Sequence, residues 1–230
     1  MRTRPTVLLF DIDGTLLDTG GAGRRAVERA FDRLHLRRDA CAGISFGGMT
    51  DRAICRAGLT AIGEEANAAA IEGLLTVYLE ALAEELAASK RARVHDGIEA
   101  ALDAATAAGC AVGLGTGNVV EGARLKLSRV GIWERFGFGG FGSDHEIRSE
   151  LLRIGAERGA AQLGAQITDC RVVVIGDTPK DIVAAQAIGA ECVAVATGSF
   201  DVQRLAEHRP EWVFQSLLDA GAVEAVIAGA

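Results

Sequence analysis

Three stretches of this chain set carboxylates and hydroxyls at the ends of apolar runs. Asp11-Ile12-Asp13-Gly14-Thr15 follows Val7-Leu8-Leu9-Phe10. Two carboxylates are thereby delivered to the end of a buried strand, where charge is tolerated only beside a cation or strong donors. Alternation puts Asp11 and Asp13 on one side if the strand continues, and Gly14-Thr15 turns the chain and bares backbone N–H groups. Thr116-Gly117-Asn118 follows Val112-Gly113-Leu114-Gly115 and precedes a helix, where a hydroxyl and backbone donors either hold an anion or cap the helix. Gly176-Asp177-Thr178-Pro179-Lys180-Asp181 closes a run from Arg171 to Ile175, and acid at Asp181 also compensates the dipole of a first helical turn. Taken together, Asp11, Asp13 and Asp177 read as ligands of a hard divalent cation. Mg²⁺ suits a site with few carboxylates, retained waters and a phosphate oxygen as a further ligand.

Other chemistries fail on spacing. Leu16 stands where a calcium-binding loop requires glycine, and the glycines at 113, 115 and 117 are followed by Asn118, which breaks a dinucleotide-binding fingerprint. The five cysteines, Cys41, Cys55, Cys110, Cys170 and Cys192, include no C-x-x-C pair and no histidines at zinc spacing. They read as reduced residues, with Cys110, Cys170 and Cys192 in or beside apolar runs.

Positioning these groups calls for a parallel sheet. Strand candidates at 6–10, 110–115, 171–175 and 191–196 alternate with amphipathic stretches, the signature of βα units, and the polar ends of the first three gather along one sheet edge. Residues 16–92 are almost entirely helical in pattern. Ala26, Ala30, Phe31 and Leu34 form one stripe, and Leu74, Leu75, Tyr78, Leu79 and Leu82 another, so a separate helical unit is expected. Gly43 to Gly48 and Gly58 to Gly63 are its expected turns, and Ser89 to His95 the return path. Thr50-Asp51-Arg52 reads either as a turn facing the site or, the simpler explanation, as a capping turn that opens a helix. Later helices at 97–108, 119–130 and 179–188 end at Gly109, Gly131 and Gly189.

With a formal net charge of −7, a pI near 5.2 and no basic tract, the chain is not built to neutralise nucleic-acid phosphates. Arg24-Arg25 and Arg37-Arg38 read as solvated helix faces. The apolar stretch after Arg2 and Arg4 is too short for a signal peptide, and no run reaches the length of a membrane span. The expected setting is cytoplasmic, without a membrane or nucleic-acid partner.

On these residues the chain resembles the haloacid dehalogenase superfamily, in its phosphatase branch with a helical cap inserted after the first motif. The family's D-x-D-G-T stands as Asp11 to Thr15, its second-motif threonine as Thr116, and its G-D-x-x-x-D as Gly176 to Asp181, with Ala184-Ala185 and Gly189 also in place. The resemblance runs from about residue 6 to 200. It implies an α/β fold, a Rossmann-like parallel sheet core over 1–15 and 93–230 with an inserted all-helical cap over 16–92. The family's usual third-motif lysine has no match in Lys90, Lys126 or Lys180; Arg148 occupies the place, with Arg153 and then Lys126 behind it. An arginine still pairs with phosphate and carboxylate, through a planar fork rather than a point charge.

The resemblance further implies roles. Asp11 attacks phosphorus to give an aspartyl-phosphate, and Asp13 protonates the leaving oxygen, then activates water. Thr116, Gly117 and Arg148 bind phosphate, Asp11, Asp13 and Asp177 bind Mg²⁺, and Asp181 orients Arg148 or the metal's water. Thr50 and Asp51 are candidates for contact from the cap. The expected partner is a small phosphorylated metabolite, unnamed by anything in the cap, with the oligomeric state open. A phosphomutase of the same branch and a non-catalytic phosphate-binding or regulatory protein are the alternative readings.

Overall fold

Val7 to Phe10, the apolar run before Asp11, is the middle of the fold. In the computed structural model, which describes residues 4–228, β1 (Thr6–Phe10) lies at the centre of a six-stranded sheet. Arg2 and the outermost residues of the ranges expected for the core, 1–3 and 229–230, lie outside the described residues. After β1 come β2 (Leu17–Asp18), α1 (Ala22–His35), α2 (Asp51–Ala61), α3 (Ala68–Ala88) and β3 (Arg93–Val94). The chain continues through α4 (Ile98–Ala107), β4 (Ala111–Thr116), α5 (Val120–Arg129), β5 (Gly139–Phe141) and α6 (Arg148–Gln162). It ends with β6 (Arg171–Gly176), α7 (Pro179–Ala187), β7 (Glu191–Val195), α8 (Val202–Ala206), β8 (Trp212–Phe214) and α9 (Ala222–Ile227).

The large sheet is parallel throughout, in the order β5-β4-β1-β6-β7-β8. Strand order thus reverses at β1, which pairs with β4 on one side and β6 on the other, and a crevice opens there beyond the strand ends. Asp11, Gly117 and Asp177 are the residues immediately after these three strands. Alternation along β1 divides the core. Leu8 and Phe10 pack on one face with α4, α5 and α9 residues, and Val7 and Leu9 pack on the other with α6 and α7 residues. All four are fully buried, and each contributes about 1.5–3 kcal/mol relative to exposure.

The helices α1, α2 and α3 share a separate apolar cluster that includes Ala26, Ala30, Phe31, Leu74, Tyr78 and Leu82. Their stretch joins the sheet region through two chain crossings, and these pair with each other as the antiparallel β2–β3 ribbon, Leu17 opposite Val94 and Asp18 opposite Arg93.

One expectation needs correction here. The turn expected from Gly58 to Gly63 is shorter, because α2 runs through Gly58 to Ala61 and only Gly63, at φ 79°, turns the chain. Gly58 is instead a packing residue: a Cβ there would come within 2.3 Å of the Phe31 ring and 3.0 Å of Cys41 Sγ. The strands β2, β3, β5 and β8 and the helix α6 carried no periodic signal of their own. In α6 the glycines let the helix approach the sheet: a Cβ on Gly155 would lie 2.9 Å from Gly140 N, and one on Gly159 2.4 Å from Val7 Cγ1.

Helix ends followed local rules. Gly109, Gly131 and Gly189 take φ of 75°, 77° and 69° just past α4, α5 and α7. All five cysteines are free. Among the described residues no helix is long and apolar enough to cross a membrane.

Candidate active site

The crevice at the strand reversal is a cavity of about 510 Å³, walled on the sheet side by Asp11, Asp13, Asn118, Lys126, Arg148 and Asp177. The opposite wall belongs to the helical stretch, with Val27, Phe46, Met49, Asp51, Ile54 and Tyr78.

Asp11 leaves the end of β1 with its N–H donated to Ile175 O at 2.9 Å, so the ladder between β1 and β6 fixes its backbone. Its carboxylate is buried, and Oδ2 lies 3.0 Å from Nη2 of Arg148. Arg148 is the first residue of α6 and is itself buried; its Nε donates to Asp181 Oδ1 at 2.8 Å, and Nη2 donates to the same oxygen. Asp181 is held from behind by its own helix. Thr178 donates N–H at 3.0 Å and Oγ1–H at 2.6 Å to Asp181 Oδ2, and accepts the Asp181 N–H in return, a reciprocal cap opening α7. Asp181 therefore serves both the helix terminus and Arg148.

Asp177 follows β6, and its Oδ1 accepts the Thr15 hydroxyl at 3.0 Å. The turn after Asp13 presses against it: Gly14 has φ 83°, and a Cβ there would stand 2.4 Å from Asp177 Oδ2. Only glycine satisfies both the backbone conformation and that approach.

Asp11, Asp177 and Asp181 offer oxygens within 4.8 Å of one another. Burial pushes Asp11 up to about 6, against the pull of Arg148, with Asp181 and Asp13 adding repulsion. Asp177 rises well above the usual carboxylate range, first by burial and then by Asp181 and Asp11. Burial would discharge Arg148, yet Asp11 and Asp181 outweigh it and hold the guanidinium charged. Three buried carboxylates thus gather where one guanidinium pairs with only two of them, Asp11 and Asp181, and the surplus negative charge suits a hard divalent cation with oxygen ligands. Both oxygens of Asp181 are engaged by Arg148 and Thr178, so Asp11 and Asp177 are the residues placed to hold one.

Asp13 is not in this group. Its carboxylate turns to the other side of the cavity, where Lys126 Nζ donates to Oδ2 at 2.6 Å and Asn118 Nδ2 donates to it at 2.9 Å. Thr116 ends β4 fully buried, its Oγ1 accepting Asn118 Nδ2 at 2.8 Å. Gly117 touches the helical stretch: its carbonyl accepts the Asp51 N–H at 2.8 Å, and a Cβ would lie 2.4 Å from Met49 O. Thr50 caps α2 by accepting the Ala53 N–H at 3.2 Å, while the buried Asp51 carboxylate accepts the Val119 N–H at 2.9 Å. Arg153 lies outside the cavity, half-exposed and paired with Glu150 and Glu157.

Sequence reasoning undervalued Lys126 and Asn118. The signal for Lys126 was present, since a cation sits on the buried stripe of α5 beside Gly122, Ala123 and Leu127. Nothing local to Asn118 marked its side chain as the link between Thr116, Asp13 and Lys126.

Comparison with known proteins gives a consistent picture. A family model described as haloacid dehalogenase-like hydrolase matches residues 5–189. A phosphoglycolate phosphatase of Xylella fastidiosa (strain 9a5c) is 32% identical over 192 residues, covering 80% of this chain and 77% of its own length. A hydrolase from Pseudomonas syringae shares the fold at TM-score 0.70 and 21% identity, over 93% of this chain and 95% of that one. CbbY from Rhodobacter sphaeroides, solved in complex with phosphate, superposes at TM-score 0.71 and 16% identity, over 94% of this chain and 96% of its own.

Proposed function

The chain belongs to the haloacid dehalogenase-like hydrolase family and is a phosphoric monoester hydrolase, and from that premise we propose a mechanism and a substrate class. The substrate is a small phosphorylated metabolite, hydrolysed with Mg²⁺ through an aspartyl-phosphate on Asp11. One observation carries this reading: Asp11 stands at the switch point of the sheet, with Arg148 at 3.0 Å and Asp177 beside it, facing a cavity of about 510 Å³.

The Asp11 carboxylate attacks phosphorus as the bond to the leaving oxygen breaks, and Arg148 steadies both the nucleophile and the transferring group. Asp13 protonates the leaving oxygen and then takes a proton from the water that hydrolyses the acyl phosphate. Thr116 and Gly117 border the phosphate at the end of β4, and Asp181 fixes the angle of the guanidinium. A magnesium ion on Asp11 and Asp177 would offset the charge of the phosphoryl oxygens. The helices α1 to α3 act as a cap that excludes water, with Thr50 and Asp51 on its core-facing edge.

The name of the Xylella relative makes phosphoglycolate the first ester to test. A panel of that ester, sugar phosphates and nucleotides, assayed for phosphate release with Mg²⁺, is expected to show turnover of at least one small ester. Asp11→Asn is expected to lower the rate at least about 10³-fold with the fold intact. An unchanged rate in that variant overturns the nucleophile assignment.

A further inference from the structure

Lys126 is a costly residue to keep where it is. Its side chain is buried in α5, and it sits at the seam between the sheet region and the helical stretch. Nζ donates at 2.6 Å to Asp13 Oδ2 and at 2.6 Å to Asn118 Oδ1, using two of its three N–H groups. Asn118 completes a closed triangle by donating its amide N–H to the same Asp13 oxygen at 2.9 Å. The acid that must meet the leaving oxygen is thus aimed by two donors, neither of which touches Asp11.

The helical stretch reaches this triangle from two directions. A Cβ on Gly23, in the first turn of α1, would lie 3.5 Å from Lys126 Nζ. A Cβ on Gly122, in the first turn of α5, would lie 3.5 Å from Asp51 Oδ2, one helical turn before Lys126. Asp51 is locked there by a reciprocal pair of bonds: its N–H donates to Gly117 O at 2.8 Å, and its carboxylate accepts the Val119 N–H at 2.9 Å. Burial acts to discharge Lys126, but Asp13 and Asp51 outweigh it and keep the ammonium protonated.

We infer that Lys126 is a positioning residue that aims the Asp13 carboxylate at the leaving oxygen, and that the helical stretch engages it through Asp51. This rests on the reading of Asp13 as the acid–base group. Lys126 transfers no proton. Asp13 gives its proton to the leaving oxygen as the P–O bond breaks and regains one from water, while the ammonium holds its oxygens in place.

The test uses the dependence on leaving group. A misaimed acid slows an alkyl ester, whose alkoxide needs the proton, far more than para-nitrophenyl phosphate, whose phenolate leaves unaided. Lys126→Met, similar in length, is compared with wild type and Asp13→Asn on para-nitrophenyl phosphate and on the alkyl ester turned over fastest in the panel. The expected result is a loss of kcat/KM, which covers only the steps up to release of the leaving group and not the later hydrolysis common to both esters, of about 10²-fold on the alkyl ester and less than about fivefold on the nitrophenyl ester. Asp13→Asn is expected to show the same selectivity. Equal losses on both esters from Lys126→Met, with selective loss in Asp13→Asn, overturn the inference alone. Absence of selectivity in Asp13→Asn overturns the acid–base reading and the inference with it. If Lys126→Met does not fold, Asp51→Asn decides, since the amide oxygen still accepts the Val119 N–H. A smaller loss confined to the alkyl ester supports the inference, and no loss or an equal one on both overturns it.

Discussion

The two sides of the cavity are built on different terms. On one side Asp11 and Asp177 stand at the ends of adjacent strands, their backbones set by the β1–β6 ladder, with Asp181 and Arg148 on the first turns of helices that pack on the sheet. On the other side Asp13, Asn118 and Lys126 are held by side-chain hydrogen bonds to one another, and Asp51 of the helical stretch bonds across to the Val119 N–H beside them. The first side is a rigid concentration of charge, with buried carboxylates outnumbering their cation. The second is a polar seam whose geometry depends on where the helices sit. The division suits the chemistry, since a nucleophile needs a fixed line of approach while an acid near the leaving group must meet whatever the cavity admits.

The strongest attack on this contrast is Arg148→Met. Removing the guanidinium leaves Asp11 and Asp181 buried without their counter-ion, and unfolding in urea without added metal is expected to show a loss of about 3–5 kcal/mol. A loss below about 1 kcal/mol would mean that the strand-end side is not the rigid charge cluster described above.

Gly58→Ala asks whether the helical stretch holds its own packing. The added methyl meets the Phe31 ring, so a destabilisation of about 2 kcal/mol is expected, read as a lowered midpoint in chemical denaturation. Its kcat should match that of wild type where the protein is folded, because Gly58 lies outside the cavity.

Acid probes the seam. Burial, opposed in part by Lys126, pushes Asp51 up to about 6 from the ordinary 3.8. Between those values the folded chain binds a proton that the unfolded chain has released, so this residue's contribution to stability grows as pH falls through about 6 and is lost as pH rises. Charged neighbours such as Lys126 and Asp13 are common to wild type and Asp51→Asn, so the difference between the two isolates Asp51. Relative to wild type, the variant is expected to gain about 1.4 kcal/mol between about pH 5 and pH 8. A pH-independent difference would place the Asp51 carboxylate in water rather than in the seam.

Arg153→Ala should be the quietest change. Its partners Glu150 and Glu157 are on the same exposed helix face, so a stability change within about 0.5 kcal/mol and unaltered kinetics are expected. A kinetic effect would show that cations outside the cavity tune the site.

Much of the strand-end side was legible because it is written locally. An apolar run that stops at Asp11 or at Gly176-Asp177 announces both a strand and what lies at its end, and Thr178-Pro179-Lys180-Asp181 spells a helix start. Arg148 could be placed by its position in the chain, but its contact with both Asp11 and Asp181 spans distances in sequence that no periodicity encodes. Gly58 was misleading for a related reason. A missing side chain looks like a break until the neighbour that occupies its space is known.

What the sequence determined by itself was the parallel α/β core, the helical stretch after the first motif and the family, since these follow from hydrophobic period and from residues close together in the chain. Only the tertiary structure decided that Asp13 turns away from Asp11 towards Lys126, and that Asp51 reaches across to cap Val119. The direction of a side chain at a strand end is set by which donors surround it in space, and those donors come from helices that meet only when the chain has folded.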